Sequence, residues 1–236
     1  MMSKLRLFSL IGFCLIALNA FSQKRFKNEV FSNIDSVLNI QYGSAVNIKG
    51  EDESLLLDVF MPPKEDTMKK RPLLIFIHGG GFQNNSKTGN YSSMVCASFA
   101  KRGYVTTTID YRLGVEKSGI GSDGKKDKTN KDYAEALYRA QQDGKAAIRF
   151  FRKYADKYGI DTSQIFLTGS SAGSKTCMAI AYMNDDEVPQ DVDRNKWGTL
   201  EGKSGNEGYS SKVNAVMNAW GAMIDYHWIK KGDVPL

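Results

Sequence analysis

The chain has 236 residues, 42% of them apolar and 25% charged, long enough and apolar enough to bury a core rather than remain disordered. Its formal charge is +6, but the basic residues are scattered. The small clusters Lys69-Lys70-Arg71 and Lys125-Lys126 lack aromatics at helical spacing, which argues for solvated loops and against nucleic-acid binding.

At the N-terminus, Lys4 and Arg6 precede an apolar run from Leu7 to Leu18, and Ala20-Phe21-Ser22 offers small residues for cleavage. This pattern predicts a secretory signal peptide over residues 1–22 and a secreted or periplasmic protein. The run is shorter than the ~20 residues a spanning helix needs, so no stable membrane anchor is expected. Cys14 lacks the preceding small residue of a lipoprotein site. What remains, residues 23–236, reads as one domain with 30 basic against 26 acidic residues.

"SLLLDVFM" (54–61) predicts a strand ended by Pro62-Pro63. "PLLIFIH" (72–78) is a continuous apolar run, as in a strand buried on both faces of a parallel sheet. Residues 91–103 have helical spacing and stop at Gly103, and the β-branched "YVTTTIDY" (104–111) predicts the next strand. Residues 114–131 are polar and read as a loop. Its acidic spacing from Asp123 does not fit a calcium loop, where Lys128 replaces a required glycine. From Asp132 to Tyr158, apolar residues such as Leu137, Ala140, Ala147 and Phe151 form one stripe, predicting a long helix stopped by Gly159. "QIFLTG" (164–169) predicts a buried strand, 171–183 a helix, 184–212 a long polar stretch, and 213–220 a last clear strand. "DVPL" opens a further apolar segment.

Strands alternating with helices predict an α/β fold with a mostly parallel central sheet and helices on both faces. Cys96 and Cys177 fall on helices expected on opposite faces, too far apart to pair. Both read as small buried apolar residues.

Two motifs carry the chemistry. Gly169-Ser170-Ser171-Ala172-Gly173 is a G-x-S-x-G pattern at a strand-to-helix junction. Such a turn strains the central serine and presents its hydroxyl at a helix N-terminus, which favours negative charge. Ser171 is therefore the candidate nucleophile, with Ser170 a packing residue or supporting donor. His78-Gly79-Gly80-Gly81 follows a buried strand. Glycines there let backbone N–H groups face a substrate oxygen, a cradle for a tetrahedral oxyanion.

The stretches "IFIHGGGF", "TIDYR" and "LTGSSAG" resemble the secreted carboxylesterase and lipase branch of the α/β-hydrolase superfamily over roughly residues 54–236. The resemblance implies that Ser171 attacks an ester carbonyl, and that Gly80, Gly81 and Ala172 donate the oxyanion N–H groups. It also implies that His78, with Gly79, braces the loop and is not the base. No metal or organic cofactor is implied. The expected substrate is a small-molecule or polysaccharide-linked acyl ester, with residues 114–131 and 184–212 bordering its pocket. The family order is serine, acid, histidine. Asp225 and His227 are so close in sequence that the imidazole should have trouble bridging acid and serine. The acid and base are therefore expected beyond Leu236, in a chain incomplete at its C-terminus that is inactive by itself. The rival readings are a non-catalytic binding protein on the same scaffold and a serine peptidase of the same fold.

Overall fold

The computed structural model describes residues 24–89, 91–115, 131–222 and 225–236. The predicted signal peptide, the Lys125-Lys126 cluster and the segment from Asp123 lie outside the described residues.

Six strands form one sheet in the order β1-β2-β4-β3-β5-β6. They are β1 (Asp35–Val46), β2 (Asp52–Met61), β3 (Arg71–Ile77), β4 (Val105–Ile109), β5 (Ile160–Ser170) and β6 (Ala215–Ala219). Strands β3 to β6 run parallel, while β2 is antiparallel to both β1 and β4. The expected mostly parallel sheet is present, with an antiparallel pair at one edge. β1 lies upstream of every strand read from the sequence. Two register shifts break its alternation, and most of its side chains are at least partly exposed, which removes the apolar signal.

β3 and β4 hold the centre of the sheet, and every residue of β4 is buried. The three threonines of β4 satisfy their hydroxyls internally. Thr106 donates to the Cys96 carbonyl, Thr107 to that of Asp58 and Thr108 to that of Lys87. A threonine-rich strand can therefore sit in the core without orphaned polar groups.

The main helices are α1 (Ser92–Lys101), α2 (Lys131–Lys153) and α4 (Ala172–Tyr182). Cys96 and Ala100 of α1 pack with Phe60 and Phe76 in one cluster, whereas α2 and α4 bury their apolar faces in a separate, larger one. These are the two faces of the sheet, and each free cysteine is buried on its own face. The long predicted helix is α2 followed by a break at Tyr154 and a short α3 (Ala155–Tyr158). Gly159, at φ 64°, closes α3 with two carbonyls capped by its N–H.

Polar residues of α2 are also buried, and residues 197–206 cover them. Gln141 and Gln142 donate to the carbonyls of Leu200, Trp197 and Thr199, and Arg149 donates to those of Glu201 and Gly205. Within the stretch expected to border the pocket, residues 197–206 instead lie on α2 and β1. Ser44 N–H donates to the Ser204 carbonyl, and Gly43 faces it so closely that a Cβ there would stand 1.9 Å from that oxygen.

After β3 the chain turns to β4 on one side, then α2 carries it to β5 on the other. The C-terminal ends of β3 and β5 thus flank a switch in winding direction, the position where open α/β sheets form a crevice.

Candidate active site

β5 ends at Ser170, and the next residue opens α4. Ser171 makes the turn with φ 51° and ψ −115°, a backbone conformation that a residue with a Cβ adopts only under strain. Its side chain is exposed. The sharp turn exists because its flanking glycines allow close contact. A Cβ on Gly173 would lie 2.0 Å from the Ile77 carbonyl oxygen, and one on Gly169 would lie 2.6 Å from the same atom. Strand and helix can cross there only without side chains. Ala172 is the first residue of α4, so its N–H is one of those the helix itself cannot satisfy.

The segment after β3 comes directly against this turn. A Cβ on Gly79 would stand 2.8 Å from the Ser170 carbonyl oxygen and 3.2 Å from Ser171 Cβ. The loop then reverses through Gly80 and Gly81, at φ 124° and 65°. The Gly80 carbonyl accepts from the N–H groups of Gln83 and Asn84. Among the described residues, no protein acceptor is paired with the N–H of Gly80 or of Gly81. Two backbone donors are thus left open within a few residues of the Ser171 turn.

His78 sits under this loop, 1% exposed. Its Nδ1 donates to the Gly79 carbonyl at 2.7 Å, and its ring stacks on Tyr111 at 4.4 Å. The Tyr111 hydroxyl donates to the His78 carbonyl, and Asn85 donates to that of Gly79. Burial holds the imidazole below its ordinary pKa, so it is neutral. His78 makes no hydrogen bond with Ser171 among the described residues.

The far end of the loop is anchored by residues that the sequence reading did not single out. Lys87 is buried, and its Nζ lies 2.9 Å from both Asp58 Oδ1 and Asn39 Oδ1. The Lys87 N–H donates to Asp110 Oδ1 at 2.7 Å. One signal was present: Asp110 and Tyr111 belong to the "TIDYR" stretch, and both reach the loop.

Asp225 and His227 pair with each other. The Asp225 carboxylate accepts from His227 Nδ1 at 2.8 Å and from its backbone N–H at 2.9 Å. Both side chains are exposed, and Tyr226 packs against the imidazole at 3.9 Å. No hydrogen bond joins His227 to Ser171 among the described residues. Beyond β6, the Val216 N–H donates to the Pro235 carbonyl at 2.9 Å, so part of "DVPL" lies along that strand's outer edge.

Among the described residues, no helix is long and apolar enough to cross a membrane. The chain matches the Carboxylesterase family over residues 19–187. Gut esterase 1 of Caenorhabditis elegans is 32% identical over 125 residues, which are 53% of this chain and 20% of that protein. Esterase LipC of Mycobacterium tuberculosis is 28% identical over 181 residues, 76% of this chain and 36% of that one. The chain thus spans well under half the length of these relatives. Thermogutta terrifontis esterase 2 phosphorylated by paraoxon has the same fold, with a TM-score of 0.59 at 21% identity over 87% of this chain and 69% of its own.

Proposed function

The chain belongs to the carboxylesterase family, and from that premise we propose that it hydrolyses carboxylic esters through an acyl-enzyme on Ser171. The observation that carries the reading is the exposed, strained Ser171 with the open N–H groups of Gly80 and Gly81 in the adjoining loop.

In this mechanism Ser171 Oγ attacks the ester carbonyl carbon while a general base takes its proton. The carbonyl oxygen becomes an anion held by the N–H groups of Gly80, Gly81 and Ala172. Collapse expels the alcohol, which takes the proton back from the base. Water then attacks the acyl-enzyme by the same route and releases the acid. Losing one oxyanion donor typically raises the barrier by ~3 kcal/mol. His78 donates an Nδ1–H hydrogen bond to the Gly79 carbonyl, is buried, and makes no hydrogen bond with Ser171 among the described residues, so it takes no part in the proton transfer. The first reading assigns base and acid to residues other than the two histidines of this sequence. A second reading assigns them to Asp225 and His227, because the carboxylate already holds Nδ1 and leaves Nε2 free. We also propose export from the cytoplasm, on the strength of the N-terminal pattern.

Turnover of a short-chain aryl ester by the full-length protein tests the mechanism. Ser171→Ala should abolish it while circular dichroism stays native, and unchanged turnover would end the reading. His227→Ala should leave turnover intact on the first reading and abolish it on the second.

A further inference from the structure

Trp220 is 81% exposed, whereas the chain's other two tryptophans, Trp197 and Trp228, are 8% and 4% exposed. A tryptophan normally contributes by burying its large apolar surface, and this one leaves most of it in water. Its backbone is also strained, with φ 61°, in the left-handed region that bulky residues rarely enter. Among the described residues, neither packing nor backbone preference explains an indole at this position. A strained, unpacked aromatic is a reason to look for a ligand.

Its place in the fold says which ligand. Ser170 and Ala219 are register partners in the parallel pair β5–β6. Ser171 follows β5 and Trp220 follows β6 directly after this pair, and neighbouring strands lie about 4.8 Å apart. Both residues leave their strands with positive φ. Gly221 then crosses the first turn of α4, where a Cβ would stand 2.3 Å from Ser174 Cβ. From the other side comes Tyr91, which precedes α1 and is also exposed. Its ring meets the Trp220 ring edge-on at 6.4 Å and 61°. The two aromatics thus join the β6 side of Ser171 to the chain that leaves the glycine loop.

Resting on the ester-hydrolase reading of Ser171, we propose that Trp220, edged by Tyr91, is a stacking platform for a ring of the ester substrate. The ligand chemistry is a flat, uncharged face: an aromatic ring, or the C–H face of a pyranose. An open indole face suits either, because stacking needs a planar apolar surface and no enclosing pocket. Trp220 is then a specificity-determining residue that holds the substrate beside the reacting hydroxyl without taking part in the chemistry.

Intrinsic fluorescence, read as the difference between the parent and Trp220→Ala, isolates the signal of Trp220. The full-length protein is titrated with methyl benzoate, with a neutral xylo-oligosaccharide, and with ringless butyl acetate. A saturable change in emission is expected with at least one ring ligand and not with butyl acetate, and the arm that responds identifies the ring. The change should persist in Ser171→Ala and vanish in Trp220→Ala. Trp220→Gly accepts the left-handed backbone, so it should melt no lower than the parent and also lose the response. No saturable change with either ring, a change that survives Trp220→Ala, or a lower melting temperature for Trp220→Gly would each overturn the platform. A ring response without any ester turnover would uphold the platform and sink the esterase reading. Turnover without a ring response would do the reverse.

Discussion

Ser171 and His78 show what one residue can do when a fold constrains it. The serine is exposed in a strained turn, and the histidine beneath its neighbouring loop is buried and neutral. Burial lowers the pKa of His78, so the unfolded chain binds a proton that the native one resists. Stability must then fall as pH drops below about 6.5, the ordinary histidine value, and level off only below the depressed native pKa. Denaturant titrations from about pH 7.5 to about pH 5 should show a steeper loss for the parent than for His78→Asn. Equal slopes would contradict the account of a buried neutral imidazole. At this scale the sequence was informative where residue type dictates chemistry. The glycines of G-x-S-x-G mark a close approach that no Cβ allows, and Gly80 and Gly81 mark a turn at positive φ. The pairing of Asp225 with His227 was not legible, because it depends on the backbone turn Tyr226–Trp228 rather than on residue type.

At the scale of elements, the loop from His78 to Thr88 is the part on which the proposed chemistry depends, and it is tied down at both ends. Tyr111 and Asn85 brace its start, and the Phe82 carbonyl accepts from the Gly114 N–H. The Lys87–Asp58 ion pair holds its end, with both side chains almost fully buried. Breaking one member of such a pair leaves a buried charge and typically costs ~3–5 kcal/mol. Lys87→Met should lose stability of that order in urea titrations, and adding Asp58→Leu should recover most of it. A loss under about 1 kcal/mol for the single variant would show that the pair does not anchor the loop. The strands β2 to β6 and the main helices were legible because their apolar runs and periodicity are strong. β1 was not, since its bulges and exposure erase the period-2 signal. The cover over α2 was not legible either. Its polar side chains lie off the apolar stripe that periodicity shows, and backbone carbonyls of residues 197–206 accept their hydrogen bonds.

At the scale of the molecule, the sheet separates two cores and with them the two cysteines, Cys96 and Cys177. Burial pushes the Cys96 thiol up to about 12 and raises that of Cys177 as well. Even in an oxidising compartment these thiols should stay reduced. Peptide mass mapping of the exported protein should find an N-terminus near Gln23 and both Cys96 and Cys177 as free thiols. A Cys96–Cys177 disulfide, or a chain retaining residues 1–22, would contradict the separation of the faces or the export proposal respectively. The parallel neighbours β3 and β5 together bring one serine hydroxyl beside a loop with open main-chain amides. Labelling of the full-length protein with a fluorophosphonate, mapped by peptide mass spectrometry, tests it most directly. One adduct is expected, on Ser171, retained in Ser170→Ala and lost in Ser171→Ala. An adduct on Ser170, or none on either serine, would contradict it.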